Sequence, residues 1–225
     1  MLKAVLFDLD GTLLPMNEDH FTNGYLGMLC KKLAPYGYKS EELVKVIWAG
    51  FKAMIKNDGS QTNEQAFWHC FVDIYGKDKL KDASLFTNFY RNEFKQAKVF
   101  CGENPKARGV IDFVKAQELK LILASNPVFP RCAMINRLNY INLNEEDFDY
   151  ITSYETSHYS KPNPKFYQEI LDQNHLIADE VIFFGNSETE DIAPATEIGI
   201  KSFLVGDKGI KFEEINEVIQ TMLEK

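Results

Sequence analysis

Residues 4–13 read AVLFDLDGTL. The first four are apolar without a break, the pattern of a short strand buried on both faces. Asp8 and Asp10 follow at once. A carboxylate at the mouth of an apolar run is costly unless its charge is used there. Two of them, one residue apart at the tip of a first strand, mark a place where negative charge serves a purpose. Gly11 permits a tight turn behind them, and Thr12 is expected to hold Asp10 by a hydrogen bond.

Beyond this strand the chain changes rhythm twice. From about residue 16 to 96 no strand is expected. Apolar residues recur there at helical spacing: Phe21, Tyr25, Met28, Leu29 and Leu33, then Leu43, Val44, Ile47, Phe51 and Ile55. Ser40, and Thr62 or Asn63, read as helix starts, and Pro35, Gly37, Asn57–Gly59 and Gly76 divide the stretch into about four helices. After Gly102 helix and strand alternate. LKLILAS (119–125), FDYITS (148–153), EVIFFGNS (180–187) and KSFLVG (201–206) read as strands. Helices are expected over 107–117, after Pro130, from Pro164 through Leu171, and over 190–198. Apolar strands between helices belong to a parallel sheet covered on both faces. The fold class is therefore α/β: a Rossmann-like three-layer core with a parallel sheet, plus an inserted all-helical segment. The expected division gives residues 1–15 and 97–225 to the core and 16–96 to the insert. An insertion after the first strand stands over the carboxyl ends of the strands, where open α/β sheets bind ligands.

Composition narrows the function classes. The chain has 225 residues, 45% hydrophobic and 26% charged, and a net charge of −8. That balance argues against nucleic acid, whose binding rests on basic patches. No apolar stretch approaches the roughly 20 residues that cross a bilayer, and Asp8 and Asp10 come too early for a signal peptide. No membrane partner is expected. Cys30, Cys70, Cys101 and Cys132 are scattered without a CxxC pair and read as reduced thiols of a cytoplasmic protein. His20, His69, His158 and His175 are dispersed and read as structural or surface residues.

A parallel sheet brings the polar residues at its strand ends to one edge. They are Asp8 and Asp10 after the first strand, Ser125 and Asn126 after the second, Lys161 in SKPNP, and Asn186, Ser187, Glu190 and Asp191 in GNSETED. A nucleophilic carboxylate, a hydroxyl, an ammonium and a second acidic group in one cleft suit phosphoryl transfer. A carboxylate attacks phosphorus to give an aspartyl-phosphate. Attack of one anion on another needs a cation, a lysine and hydrogen-bond donors to spread the charge. Oxygen donors without Cys or His point to Mg2+.

FDLDGTL with LASN, SKPNP and GNSETEDI, in this order, resembles the haloacid dehalogenase superfamily in its phosphatase branch. The resemblance covers the whole core, whereas the insert matches the superfamily's α-helical caps by position and length. It implies that Asp8 is the nucleophile and Asp10 the general acid and later base, with the carbonyl of Asp10 also a metal ligand. Ser125 and Asn126 would bind the phosphate oxygens, and Lys161 would neutralise both nucleophile and phosphate. Asn186 and Asp191 would complete the metal site. One departure is Gly185-Asn186-Ser187, where many relatives resemble G-D-S; the neutral amide should weaken metal binding or shift it toward Asp191.

The expected activity is magnesium-dependent hydrolysis of a small phosphorylated metabolite. A phosphomutase would use the same residues. A 2-haloacid dehalogenase has no use for the second aspartate, and a phospho-aspartate signalling module would be shorter and lack the insert. In the insert, Trp48, Phe51, Phe67, Trp68 and Phe71 are expected as helix core and not as a substrate wall. Lys52 and Lys56 are expected on a solvated face, with a cleft-facing role for an anionic substrate as the alternative.

Overall fold

The structure is a computed structural model and describes residues 1–224. Five parallel strands, β1 (Ala4–Phe7), β2 (Lys120–Leu123), β3 (Tyr150–Ile151), β4 (Val181–Gly185) and β5 (Lys201–Leu204), form one sheet in the order β3-β2-β1-β4-β5. The nine α-helices among the described residues are α1 (Glu18–Leu33), α2 (Ser40–Ile55), α3 (Asn63–Tyr75), α4 (Ala83–Arg91), α5 (Ala107–Ala116), α6 (Arg131–Tyr140), α7 (Pro164–Asn174), α8 (Ala193–Glu197) and α9 (Ile215–Leu223).

Strand alternation divides the core. Ala4, Leu6, Ile122 and Phe183 bury one sheet face against Phe166, Tyr167, Ile170 and Leu171 of α7. Val5, Phe7, Leu121, Leu123 and Phe184 bury the other against Ile111 and Val114 of α5 and Ile215 and Ile219 of α9. Each valine, leucine, isoleucine or phenylalanine among them, fully buried, contributes roughly 1.5–3 kcal/mol. The result is the expected three-layer arrangement. Helix α9 was not anticipated, although Ile215, Val218, Ile219 and Met222 stand at helical spacing.

Register positions the site. Phe7 pairs with Leu123 on one side and Phe184 on the other, so the residues just beyond the three central strands are level. The Ala124 N–H donates to the Phe7 carbonyl (2.7 Å), and the Asp8 N–H to the Phe184 carbonyl (2.9 Å). The strand order reverses around β1, which makes its carboxyl end the switch point where α/β sheets bind ligands.

Residues 16–96 contribute α1 to α4 and no strand. The two ends of this stretch meet: Met16 pairs with Cys101, and the Gly102 N–H donates to the Pro15 carbonyl (2.6 Å). Helix α3 begins with a capping box between Thr62 and Gln65. Its first free N–H groups, of Asn63 and Glu64, donate to the carbonyls of Ser157 and Tyr154 at 2.8 Å each, so the loop before α7 satisfies them. The buried Asn63 amide also donates to the Ser160 hydroxyl (3.0 Å) and the Pro127 carbonyl (3.2 Å). The inserted helices are thereby tied to the loops that follow β2 and β3.

Candidate active site

The carboxyl ends of the strands form the floor of a cavity of about 340 Å³ lined by Asp8, Asp10, Ser125, Asn126, Lys161, Asn186 and Asp191. Ser187 and Glu190 line it too, so all nine residues picked from the strand-end motifs meet at one place.

At its base lies a chain of buried charges. Lys161 Nζ is 2.7 Å from Asp8 Oδ1 and 2.6 Å from Asp191 Oδ1, and all three side chains are almost wholly buried. Burial pushes the Asp8 carboxyl up to about 7; the Lys161 ammonium works against this, and the carboxylates of Asp191 and Asp10 add to it. Burial would also strip the proton from Lys161, but the carboxylates of Asp8 and Asp191 outweigh it and hold the ammonium well above the usual lysine range. The other oxygen of Asp8, Oδ2, accepts from the Thr12 hydroxyl at 3.1 Å. Thr12 thus holds Asp8 and not Asp10 as expected, because the turn at Gly11 brings residue 12 back over the strand end.

Asp191 is fastened on every side. Its Oδ2 accepts from the N–H groups of Asn186 and Ser187 at 3.0 Å each, while Oδ1 faces Lys161. A single π turn over Glu188–Ile192, capped by the Ser187 hydroxyl, brings residue 191 back toward its own loop. The helix expected over 190–198 accordingly starts as this wider turn and becomes α-helical only at Ala193.

Asp10 sits higher, at the cavity wall. Its Oδ2 pairs with Arg137 Nη1, whose side chain is fully buried and lies over the Phe129 ring, 4.4 Å from the centroid. Its Oδ1 has no partner within the chain. Two further buried oxygens beside the cavity, Asn126 Oδ1 and the Tyr25 hydroxyl, are likewise unpaired. Ser125 is fixed through its carbonyl, which accepts from the Thr152 hydroxyl at 2.6 Å. Arg137, Tyr25 and Thr152 were absent from the sequence-derived set. Each reaches the site from an element whose docking no local pattern encodes.

Gly11 has φ +82, and a Cβ placed there would lie 2.2 Å from Asn186 Nδ2. Gly11→Ala should therefore cost about 1–2 kcal/mol in backbone strain, before Asn186 is displaced. For a chain of this size that lowers Tm by roughly 2–8 °C. An unchanged melting temperature would contradict this account of the turn.

The donor set suits a hard cation. Asp8, the Asp10 carbonyl and the Asn186 amide oxygen are all oxygen donors, and Asp10 Oδ1 is free. Among the described residues no three His, Cys, Asp or Glu side chains converge into a ready-made cage. Magnesium is commonly held by one or two carboxylates plus waters and substrate phosphate.

None of the four histidines lines the cavity, nor do the exposed Lys52 on α2 and Lys56 just after it. The aromatic expectation divides. Phe67, Trp68 and Phe71 are buried in the insert's interior, whereas Trp48 and Phe51 line the cavity. Helical spacing identifies an apolar stripe but does not say whether a neighbour or a ligand covers it. The four cysteines are unpaired. Among the described residues no helix is long and apolar enough to cross a membrane.

Known proteins resemble the chain in sequence and in fold. The chain is 26% identical over 204 residues to a phosphorylated carbohydrates phosphatase of Thermotoga maritima, covering 89% of this chain and 83% of that protein. It is 23% identical over 203 residues to a phosphoglycolate phosphatase of Aquifex aeolicus, covering 90% and 84%. The crystal structure of a HAD phosphatase from Thermococcus onnurineus superimposes with a TM-score of 0.60 at 18% identity, over 97% of this chain and 98% of that one. The profile of haloacid dehalogenase-like hydrolases matches residues 5–205, a span that runs from the first strand past the Asn186–Asp191 loop. The chain belongs to the haloacid dehalogenase-like hydrolase family.

Proposed function

We propose that the chain is a magnesium-dependent phosphatase that hydrolyses a small phosphomonoester through an aspartyl-phosphate on Asp8. One observation carries this reading: a buried carboxylate tied to a buried ammonium at the floor of a cavity, with a second carboxylate above it that keeps one oxygen free. The names of the Thermotoga and Aquifex relatives support hydrolysis of a phosphomonoester.

In the first step an oxygen of Asp8 bonds to phosphorus and the bond from phosphorus to the ester oxygen breaks. Asp10, through its free Oδ1, gives a proton to that departing oxygen. In the second step Asp10 takes a proton from water as the water attacks the phosphoryl group. Inorganic phosphate leaves and the Asp8 carboxylate is restored. Lys161 and the Ser125 hydroxyl face the phosphate oxygens, and Asn126 adds amide donors. Asp191 holds Lys161 and the 186–187 backbone in place. Asp8, the Asp10 carbonyl and Asn186 would hold Mg2+, which when bound supplies positive charge between nucleophile and phosphate. Residues 16–96 serve as a cap that hinges where Pro15–Met16 and Cys101–Gly102 run side by side, excluding water during the first step.

Phosphate release from p-nitrophenyl phosphate should require magnesium and disappear with excess chelator. Undiminished release in chelator overturns the metal assignment. The magnesium midpoint also tests Asn186 directly. Asn186→Asp adds a charge without changing side-chain size, and should lower the midpoint roughly tenfold, about 1.4 kcal/mol. An unmoved midpoint would place Asn186 away from the metal.

A further inference from the structure

The cavity has two chemically different halves. Its floor carries the charged groups described above. Its upper wall comes from α1 and α2 and consists of Phe21, Thr22, Tyr25, Trp48, Phe51 and Ile55. No lysine, arginine or histidine of the inserted helices lines it, and among the described lining residues Lys161 at the floor is the one cation. Apart from Asp10, the charged groups outside the floor are Glu18 and Glu190, both acidic and both exposed at the rim. Trp48 and Ile55 are 52% and 46% exposed, an apolar surface left open at the mouth. Deeper in the wall, the Tyr25 hydroxyl is buried and unpaired.

These features bear on the leaving group, the part of the substrate that the upper wall must receive. A second anion there would lie against apolar rings, face two carboxylates at the entrance, and find no cation to pair with. An apolar group gains burial against Trp48, Phe51 and Ile55, and a positive charge is welcomed by both the acids and the aromatic faces. We propose that this enzyme takes phosphomonoesters of apolar, uncharged or cationic alcohols and that it rejects esters carrying a second negative charge. This rests on the phosphatase reading above and adds the class of substrate to it.

The test compares kcat/KM in magnesium for phenyl phosphate, 4-(aminomethyl)phenyl phosphate and 4-carboxyphenyl phosphate. The carboxylate makes its phenol the better leaving group than phenol itself, so chemistry alone favours the third substrate. We expect it instead to be about 100-fold poorer than phenyl phosphate, within the range that pocket contacts discriminate. The aminomethyl ester should equal or exceed phenyl phosphate. Ile55→Lys, at the exposed mouth, should raise the ratio of carboxyphenyl to phenyl turnover about tenfold by supplying the missing cation. Carboxyphenyl phosphate used as well as phenyl phosphate, with both dependent on magnesium, overturns the substrate class and leaves the phosphatase reading standing. No release from any of the three esters overturns both.

Discussion

Asp8→Asn is expected to lower turnover by about 10⁵-fold or more, the scale on which an enzyme loses its covalent nucleophile. The amide has nearly the size of the carboxylate; its oxygen can still accept from Lys161, and its NH2 can donate to the Thr12 hydroxyl, which is able to accept as well as donate. The fold should therefore survive, and circular dichroism should be unchanged. What is lost is a nucleophile that bonds to phosphorus. Steady-state phosphate release, with the protein checked for contaminating phosphatase, measures the effect. Turnover within about tenfold of the parent would assign the nucleophile elsewhere, since no positioning loss at the reacting atom is that small.

The second large effect concerns Asp10 and divides by leaving group. With an alkyl phosphate, whose alkoxide cannot depart unprotonated, Asp10→Asn should slow turnover about 10²–10⁴-fold. With p-nitrophenyl phosphate, whose leaving group needs no proton, the first step should slow by roughly tenfold or less. Arg137→Met should give the same pattern more weakly, about 10–10²-fold with the alkyl ester. It removes the guanidinium that fixes Oδ2 and so leaves Oδ1 without a fixed direction. Arg137→Lys keeps the charge and should recover part of the loss. Equal slowing of the first step for both substrates by Asp10→Asn, read as the rate of the initial burst of released alcohol, would mean that Asp10 does not deliver the proton. Equal slowing by Arg137→Met would mean that Arg137 supports the fold and not the acid.

The core was legible in the sequence because its signals are local. Each strand is a short apolar run with a polar end, and a parallel sheet must bring those ends together; Asp8, Ser125, Lys161 and Asn186 could be collected without coordinates. What failed was whatever depends on how separate elements dock. Arg137 reads as an ordinary residue of α6, and nothing within α6 says that its guanidinium will reach the Asp10 turn 127 positions away. Tyr25 and Trp48 both lie on apolar helical stripes, yet one hides an unpaired hydroxyl beside the cavity and the other stands half exposed at its mouth. Thr12 was matched to the wrong carboxylate because spacing alone does not give the direction of a left-handed turn at Gly11. The helix at Ile215–Leu223 was overlooked after the last strand, although it completes one face of the sheet.

The account turns on a phosphoryl group carried by Asp8, and trapping it is the direct test. In the Asp10→Asn protein with p-nitrophenyl phosphate and magnesium, the first step proceeds without an acid while the second lacks its base. The intermediate should therefore accumulate. Acid quenching followed by peptide mass spectrometry is predicted to find phosphate on Asp8, at an occupancy above that of the parent protein under the same conditions. Phosphate on another residue, or rapid turnover of p-nitrophenyl phosphate with Asp8 never modified, would contradict it.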